Sequence, residues 1–399
     1  MNSITNIDNF YFIGIGGIGM SALARYFNLE GKKVFGYDKT PSEITSNLIE
    51  EGIAIQFKDE VSLIPEPIQK NKKTLVVCTP AISKNNNILS WLNAKEYWVV
   101  KRSELLGEIS KNSICLAVAG THGKTTTSAI LGHLLASCNM PVTAFLGGVT
   151  ENYNSNLIYK GSEIMVVEAD EFDRSFLHLS PTIACVTSMD ADHLDIYGSI
   201  SELENTFVDF SKLVPDSNNL LFKTGLPLEG KTVSATENAD FEARNVRIEK
   251  GSYVFDLKTP SEEIKDLRFH LPGRHNMFNA VTALGMAILV GAPIDSLPNA
   301  LQDFKGVKRR FSYKIKTKNL VLIDDYAHHP AEIDAIHQAV TEMYPQNKKL
   351  IVFQPHLFSR TKDFGTEFAK SLSRFDEVIL LEIYPAREEP IEGISSKWL

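Results

Sequence analysis

Short apolar runs with no polar alternation recur along the chain: FYFIGIG, KKVFGYD, TLVVCTP, YWVVKR, ICLAVAG, IMVVEA, IACVTSM, LVLIDD, LIVFQP and EVILLEI. Runs of this length, rich in Val, Ile and Leu, suit strands buried on both faces. Segments of helical period lie between them, so the pattern predicts an α/β protein with parallel sheets. The strand-loop-helix theme restarts three times, at Phe10, at Ile114 after the polar stretch ELLGEISKNS, and near Leu320 after FKGVKRRFSYKIKTKN. Divisions at 1–108, 109–307 and 308–399 follow. Residues 216–270 break the theme with turn-rich sequence and alternating pieces such as YVFDLK and LRFHLP, which predict a small antiparallel insertion in the middle domain.

A length of 399 residues fits two or three domains, and 43% hydrophobic with 23% charged residues is ordinary globular composition. The net charge of -8 excludes a surface built to neutralise nucleic-acid phosphates. Cys78, Cys115, Cys138 and Cys185 are scattered and form no C-x-x-C pair, as expected of buried thiols in a reducing compartment. No basic segment followed by an apolar run opens the chain, and no apolar stretch approaches the ~18 residues of a membrane span. The expectation is a cytoplasmic protein without membrane insertion.

Candidate chemistry begins with GIGGIG, where Gly14, Gly16 and Gly19 have dinucleotide-fingerprint spacing and Asp38 follows at the ribose-reading distance. ICLAVAGTHGKTTTSAILGHLL is a strand, a tight loop and a helix, a context that aims backbone N–H groups at bound phosphate. Lys124 would reach the terminal phosphates and Thr125 would ligate Mg²⁺; Val118 stands where a strict P-loop has its first glycine. Glu168, Asp170 and Glu171 end one apolar strand, and Asp190, Asp192, His193 and Asp195 end another. Polar groups at the carboxyl ends of parallel strands face the ligand crevice, although loop acids also cap helices. Asn276 and Asn279 lie one turn apart on one helix face, placed either to cap or to read a nucleobase edge. Asp324, Asp325, Tyr326, His328, His329, His356, Arg360, Tyr384 and Arg387 repeat the strand-end pattern late in the chain.

Taken in order, GIGGIGMS, GTHGKTTT, EADEFDRSF, DADHLDIYG, PGRHNMFNA, DDYAHHP, QPHLFSRT and IYPARE closely resemble the Mur ligase family and span nearly the whole chain. The resemblance implies an N-terminal Rossmann-like domain for the UDP part of UDP-N-acetylmuramate, a central P-loop ATPase-like domain, and a C-terminal Rossmann-like domain for the amino acid. GIGGIGMS and IYPARE point to the branch that joins L-alanine to the lactyl carboxylate through an acyl phosphate, with ATP and Mg²⁺. Carried over position by position, the resemblance assigns catalysis to Lys124, His193, His328 and Arg360. It assigns ATP contacts to Gly120, Thr121, His122, Gly123, Lys124, Thr125, Thr126, Asn276, Asn279, Arg310 and Asp324. Gly14, Gly16, Gly17, Ile18, Gly19, Met20, Ser21, Asp38 and Arg102 fall to the UDP-substrate. Tyr326, His328, His356 and Arg360 fall to the amino-acid side, and Thr125, Glu168 and His193 to the metal.

Two departures accompany the match. Phe207 stands where several relatives carry a carbamylated lysine, and SSKWL ends the chain where the family's third domain still carries a helix and further strands. An incomplete third domain with exposed apolar edges is therefore expected, in a monomer or weak homodimer. A ligase joining a preformed tripeptide to the same sugar nucleotide, an NAD-dependent oxidoreductase using GIGGIG, and a non-catalytic nucleotide-binding regulator stay open as alternatives.

Overall fold

A computed structural model describes residues 4–83, 85–190, 197–249, 251–386 and 388–399. Strands β1 (Asn9–Ile13), β2 (Lys33–Tyr37), β3 (Ala54–Gln56), β4 (Thr74–Cys78) and β5 (Trp98–Lys101) form a parallel sheet in the order β3-β2-β1-β4-β5. All of β1 is buried, which is why its sequence NFYFI shows no alternation. The strand order reverses between β1 and β4, and the GIGGIG loop leaves β1 at that crevice.

The second sheet contains β6 (Ile114–Ala119), β7 (Val142–Thr150), β8 (Ser155–Tyr159), β9 (Ile164–Ala169), β10 (Ile183–Val186), β11 (Leu220–Lys223), β12 (Lys231–Ser234), β13 (Phe241–Glu249), β14 (Ser252–Lys258) and β15 (Glu263–Phe269). Its order is β15-β14-β13-β12-β11-β10-β6-β9-β7-β8. β11 and β12 extend the parallel array from β10, and only β13–β15 and the β7–β8 pair run antiparallel. The segment 216–270 thus continues the main sheet, with its antiparallel part confined to the edge. The helix Lys124–Ser137 is buried from Thr126 to Ala136, packed on this sheet beside the helix Arg274–Leu289. Cys115 and Cys185 lie inside, where burial pushes each thiol pKa up to about 12.

The third region has a small core of Ile333, Phe353, Phe368 and Leu372. β16 (Ser312–Lys316) and β17 (Val321–Asp324) form an antiparallel pair; β18 (Leu350–Phe353) and β19 (Glu377–Leu380) form a parallel one. Leu350, Val352, Val378 and Ile379 of the second pair are exposed. The ten apolar runs all become strands, β1, β2, β4, β5, β6, β9, β10, β17, β18 and β19.

A buried polar seam joins the first two sheets. Arg25 donates from Nε to both oxygens of Glu51 at 2.9 Å and from Nη1 to Asn156 Oδ1. Asn156, on β8 and without solvent exposure, donates back to the Ile18 carbonyl at 2.5 Å and to Ser21 Oγ at 2.9 Å. Replacing Asn156 by Ala strands these partners in a dry interface, so unfolding in urea should show a loss of about 1–3 kcal/mol. A midpoint unchanged from wild type would mean that the seam adds nothing.

Candidate functional site

β6 ends at Ala119 and the helix starts at Lys124, so the chain turns through Gly120 (φ 127°) and Gly123 (φ 86°). Glycine is required at both positions. A Cβ on Gly120 would stand 2.1 Å from Thr187 Oγ1, and one on Gly123 would stand 2.6 Å from Asn279 Oδ1. The loop is fastened to the residues after β10. Ser188 Oγ lies 2.8 Å from Thr121 Oγ1 and accepts from His122 N at 2.9 Å; Thr187 Oγ1 donates to the His122 carbonyl at 2.5 Å.

Lys124 Nζ donates to the Gly120 carbonyl at 2.7 Å and to both oxygens of the fully buried Glu171, at 2.8 and 2.7 Å. Burial works against the ammonium, but Glu171, aided by Asp170 and Glu168, outweighs it and holds the Lys124 pKa above its ordinary value. Glu168 accepts from Gly147 N at 2.5 Å and from Thr125 Oγ1 and Ser128 Oγ, each at 3.2 Å. Burial raises its pKa and these donors partly offset the rise. A carboxylate beside a threonine hydroxyl is the hard oxygen set that suits Mg²⁺. His193, the other expected ligand, lies outside the described residues, as do Asp192, Asp195 and Arg387. Phe207 is fully buried with its ring 5.5 Å from that of Phe176, an apolar position in the hydrophobic core.

Two cavities flank the loop. One, of about 400 Å³, is lined by His122, Gly123, Thr126, Asn276, Asn279 and Arg310, together with His275, Asp325 and Glu332. Asn276 also donates to the Pro272 carbonyl at 2.6 Å. Asp324 is not among its lining; it ends β17 with Lys314 Nζ 3.8 Å away. The next residue, Asp325, faces the cavity and accepts from Phe311 N and Ala327 N at 2.7 Å. Gly120 and Thr121 shape the loop from behind, Thr121 Oγ1 accepting from Asp190 N at 3.1 Å.

The other cavity, of about 600 Å³, is lined by Gly14, Gly17, Ile18, Gly19, Met20, Asp38 and Arg102 on one side and by Lys124, Thr125, Glu168, Arg310 and Tyr326 on the other. Gly16 and Ser21 stand behind its wall: Gly16 N donates to Asp38 Oδ2 at 2.8 Å, and Ser21 faces Asn156. Asp38 therefore holds the glycine loop closed. Arg310 lines both cavities, and Lys124 sits at the loop that divides them.

Tyr326 carries the guanidinium groups of Arg309 and Arg310 over its ring at 5.2 and 5.3 Å. His328, His356 and Arg360 gather beside the cavities instead of lining them. The His328 and His356 rings are 6.1 Å apart, and His356 stacks on Tyr384 at 5.5 Å. His328 Nδ1 lies 2.9 Å from the Tyr326 carbonyl, which makes Nδ1 the protonated nitrogen and leaves Nε2 as acceptor. Burial lowers the His328 pKa, Glu332 opposes it and Arg360 adds to it.

Four residues that motif matching left unassigned complete the site: Glu171, Ser188, His275 and Glu332. Glu332 accepts from His328 N at 2.8 Å and His329 N at 3.2 Å, and its other oxygen is 3.4 Å from His122 Nδ1. Burial would raise its pKa, yet His122 and His328 hold it well below the usual carboxylate range. The third region is thereby tied to the phosphate loop. Glu332 shows in the sequence only as the N3 position of a helix, the place of a capping-box acid.

The family model described as Mur ligase middle domain matches residues 118–287, the Mur ligase family catalytic domain matches 9–113, and the Mur ligase glutamate ligase domain matches 309–398. The chain belongs to the Mur ligase family, whose members are ATP-dependent amide-bond-forming ligases. Proteins named UDP-N-acetylmuramate–L-alanine ligase from Christiangramia forsetii and Flavobacterium psychrophilum are each 61% identical over 100% of this chain and 88% of their own length. The crystal structure of the ligase of that name from Thermotoga maritima matches with a TM-score of 0.81 at 28% identity, covering 94% of this chain and 85% of the other. A Mycobacterium tuberculosis folylpolyglutamate synthase complexed with ADP shares the fold, with a TM-score of 0.57 at 16% identity over 69% of this chain and 75% of its own.

The buried wall of the first cavity makes stability depend on pH. Burial lowers the His275 pKa from 6.5 to about 4, with Glu332 opposing and Arg310 assisting. Below pH 6.5 the unfolded chain takes up a proton that the folded chain refuses. The neutral ring's contribution is therefore complete above pH 6.5 and drains away as pH falls towards 4. His275→Gln should lose less stability than wild type over that window, read as urea midpoints at successive pH values. Identical pH slopes in the two proteins would count against this assignment.

Proposed function

We propose that this chain joins the amine of L-alanine to the lactyl carboxylate of UDP-N-acetylmuramate while ATP is converted to ADP and phosphate, a step of bacterial peptidoglycan precursor synthesis in the cytoplasm. Among the described residues no helix is long and apolar enough to cross a membrane. The observation that carries the reading is the pair of cavities that share Arg310 on either side of the Gly120–Lys124 loop, Lys124 facing the one beside the diphosphate-type glycine loop and His122 and Gly123 facing the other. Residues 1–108 would hold the UDP part, 109–307 the ATP, and 308–399 the alanine.

The chemistry fits the groups present. The carboxylate oxygen attacks the terminal phosphorus of ATP, the bridging bond to ADP breaks, and an acyl phosphate results. The alanine nitrogen, having lost a proton, adds to the acyl carbon; the tetrahedral species collapses to the amide and expels phosphate. Negative charge builds on oxygen in each step, so fixed cations do most of the work. Lys124 and Arg310 would carry the transferring phosphoryl group across the partition. Gly120–Thr126 would hold the phosphates, Asn276 and Asn279 the base, and Asp325 with its neighbour Asp324 the ribose side. The Thr125 hydroxyl and Glu168, with His193, form the set that would hold Mg²⁺. When bound, the ion supplies further positive charge beside the phosphates. The glycine loop, Asp38 and Arg102 would bind the UDP-sugar.

On the amino-acid side, Tyr326, His356 and Arg360 would position alanine. His328 Nε2, held unprotonated and oriented by the Tyr326 carbonyl, is the base that would accept the ammonium proton.

Phosphate release by purified protein with Mg-ATP and UDP-N-acetylmuramate is expected with L-alanine, and only weakly with serine or glycine. Turnover with tripeptide in place of alanine would reassign the chain to the peptide-recycling reaction, and NAD binding without ATP binding would remove the ligase reading. Lys124→Ala should lower kcat by about 10³-fold, the scale of a lost charge-stabilising donor; a near-normal rate would show that the phosphate loop is misassigned. His328→Asn should lose the acidic limb of the kcat/KM profile for L-alanine, and an unaltered profile would give deprotonation to solvent.

A further inference from the structure

We propose that Glu171 is the counter-ion from which Lys124 is partly exchanged onto the terminal phosphate when ATP enters, and that this exchange sets the affinity for nucleotide. The inference rests on the ATP-dependent ligase reading and adds a residue that positions the lysine without touching substrate.

A lysine ammonium has three N–H donors and no acceptor. In Lys124 all three are taken, by the Gly120 carbonyl at 2.7 Å and by the two Glu171 oxygens at 2.8 and 2.7 Å. A phosphate oxygen that reaches Nζ must displace one of them. The Gly120 carbonyl belongs to a loop wedged against Thr187 and Ser188, so it offers little movement. Glu171 is held just as firmly through its backbone, whose carbonyl accepts from Arg174 N at 2.9 Å and from Tyr197 Oη at 2.5 Å.

Glu171 has no solvent exposure, and among the described residues Lys124 is the cation within ion-pair reach of it. Complete departure of the lysine would leave a buried carboxylate unpaired, which is strongly unfavourable. Lys124 therefore keeps one carboxylate oxygen as a pivot and turns the freed N–H towards phosphate. Two consequences follow from this arrangement. The carboxylate competes with phosphate for the ammonium, which weakens ATP binding, and it fixes where the ammonium points, which supports turnover. A purely structural ion pair gives the opposite sign for binding, because its loss would loosen the loop and weaken nucleotide affinity.

Glu171→Gln keeps the shape and one acceptor oxygen while removing the charge. Titration calorimetry with the magnesium complex of a methylene-bridged ATP analogue is expected to show binding about tenfold tighter than wild type. Steady-state assays should show KM for ATP falling in parallel, kcat falling about tenfold or more, and KM for L-alanine little changed. Binding equal to or weaker than wild type overturns the proposal. Failure of the wild-type protein to bind the analogue overturns instead the ATP reading beneath it. If Glu171→Gln does not fold, Glu171→Asp, which withdraws the charge by one methylene, should shift affinity in the same direction by a smaller factor, and weaker or unchanged binding there overturns the proposal equally.

Discussion

The fastening of Gly120–Lys124 between the ends of β6 and β10 is the constraint on which the rest of the site depends. A loop with two glycines at positive φ would be mobile if left to itself, since glycine has the most backbone freedom to lose. Here Ser188 and Thr187 hold it from one side and Glu171 from the other. Because these partners stand at the carboxyl ends of neighbouring parallel strands, the loop inherits the rigidity of the sheet. It then forms the dividing wall of two cavities, and the positions of Lys124 and Thr125 relative to both follow from the wall.

The same fastening lets the outer regions find their places. The first sheet docks on β7 and β8 through the Arg25–Asn156 seam and the ring of Tyr26, 5.3 Å from that of Phe145, which sets the glycine loop opposite Lys124. The third region is held differently. Its main polar link to the phosphate loop is Glu332 facing His122, and Glu332 also accepts from two backbone N–H groups that begin its own helix. One carboxylate therefore caps a helix and meets the loop, so the order of that helix start and the docking of the region rise and fall together. A further link of the same kind joins Tyr253 Oη to Glu342 Oε2 at 2.6 Å near the other end of the helix.

Much of this organisation was legible in the sequence because burial leaves a plain mark there. Every apolar run noted in the chain is a strand; those in the first two sheets are mostly covered on both faces, whereas β17, β18 and β19 leave much of theirs exposed, so the run marks a strand there without marking two-sided burial. β8, β12 and β13 leave no such mark: β8 is short and lies at the sheet's edge, while β12 and β13 carry polar, partly exposed residues over much of their length. The site divides along a similar line. Lys124, Thr125 and Glu168 stand together because each is fixed by a strand-to-loop junction that a motif defines. Asp325 in place of Asp324 at the cavity could not be read, because the choice depends on which of two adjacent aspartates follows the last paired residue of β17. Glu171 was visible as one of three strand-end acids, but its partnership with Lys124 depends on the turn after β9, and pattern carries no information about that turn.

Electrostatics explain why so many acids crowd a site meant for anions. The chain carries a net charge of -8, and the second cavity is lined by Asp38, Glu168 and Asp170 as well as by Arg102, Lys124 and Arg310. A buried cation without a partner is costly, and a long side chain left unpaired would sample many rotamers. Arg102 stands 3.6 Å from Asp170, and Lys124 is held by Glu171. Arg102 and Lys124 are thus each oriented by a carboxylate, and an incoming anion would meet a partner to exchange instead of a charge to recruit. Such exchange lowers the net gain on binding but spares the site the reorganisation that would otherwise accompany charge transfer between the cavities. On the proposed assignment that balance would favour turnover over tight retention of substrate, because each step of the reaction would build negative charge beside Lys124 and Arg310.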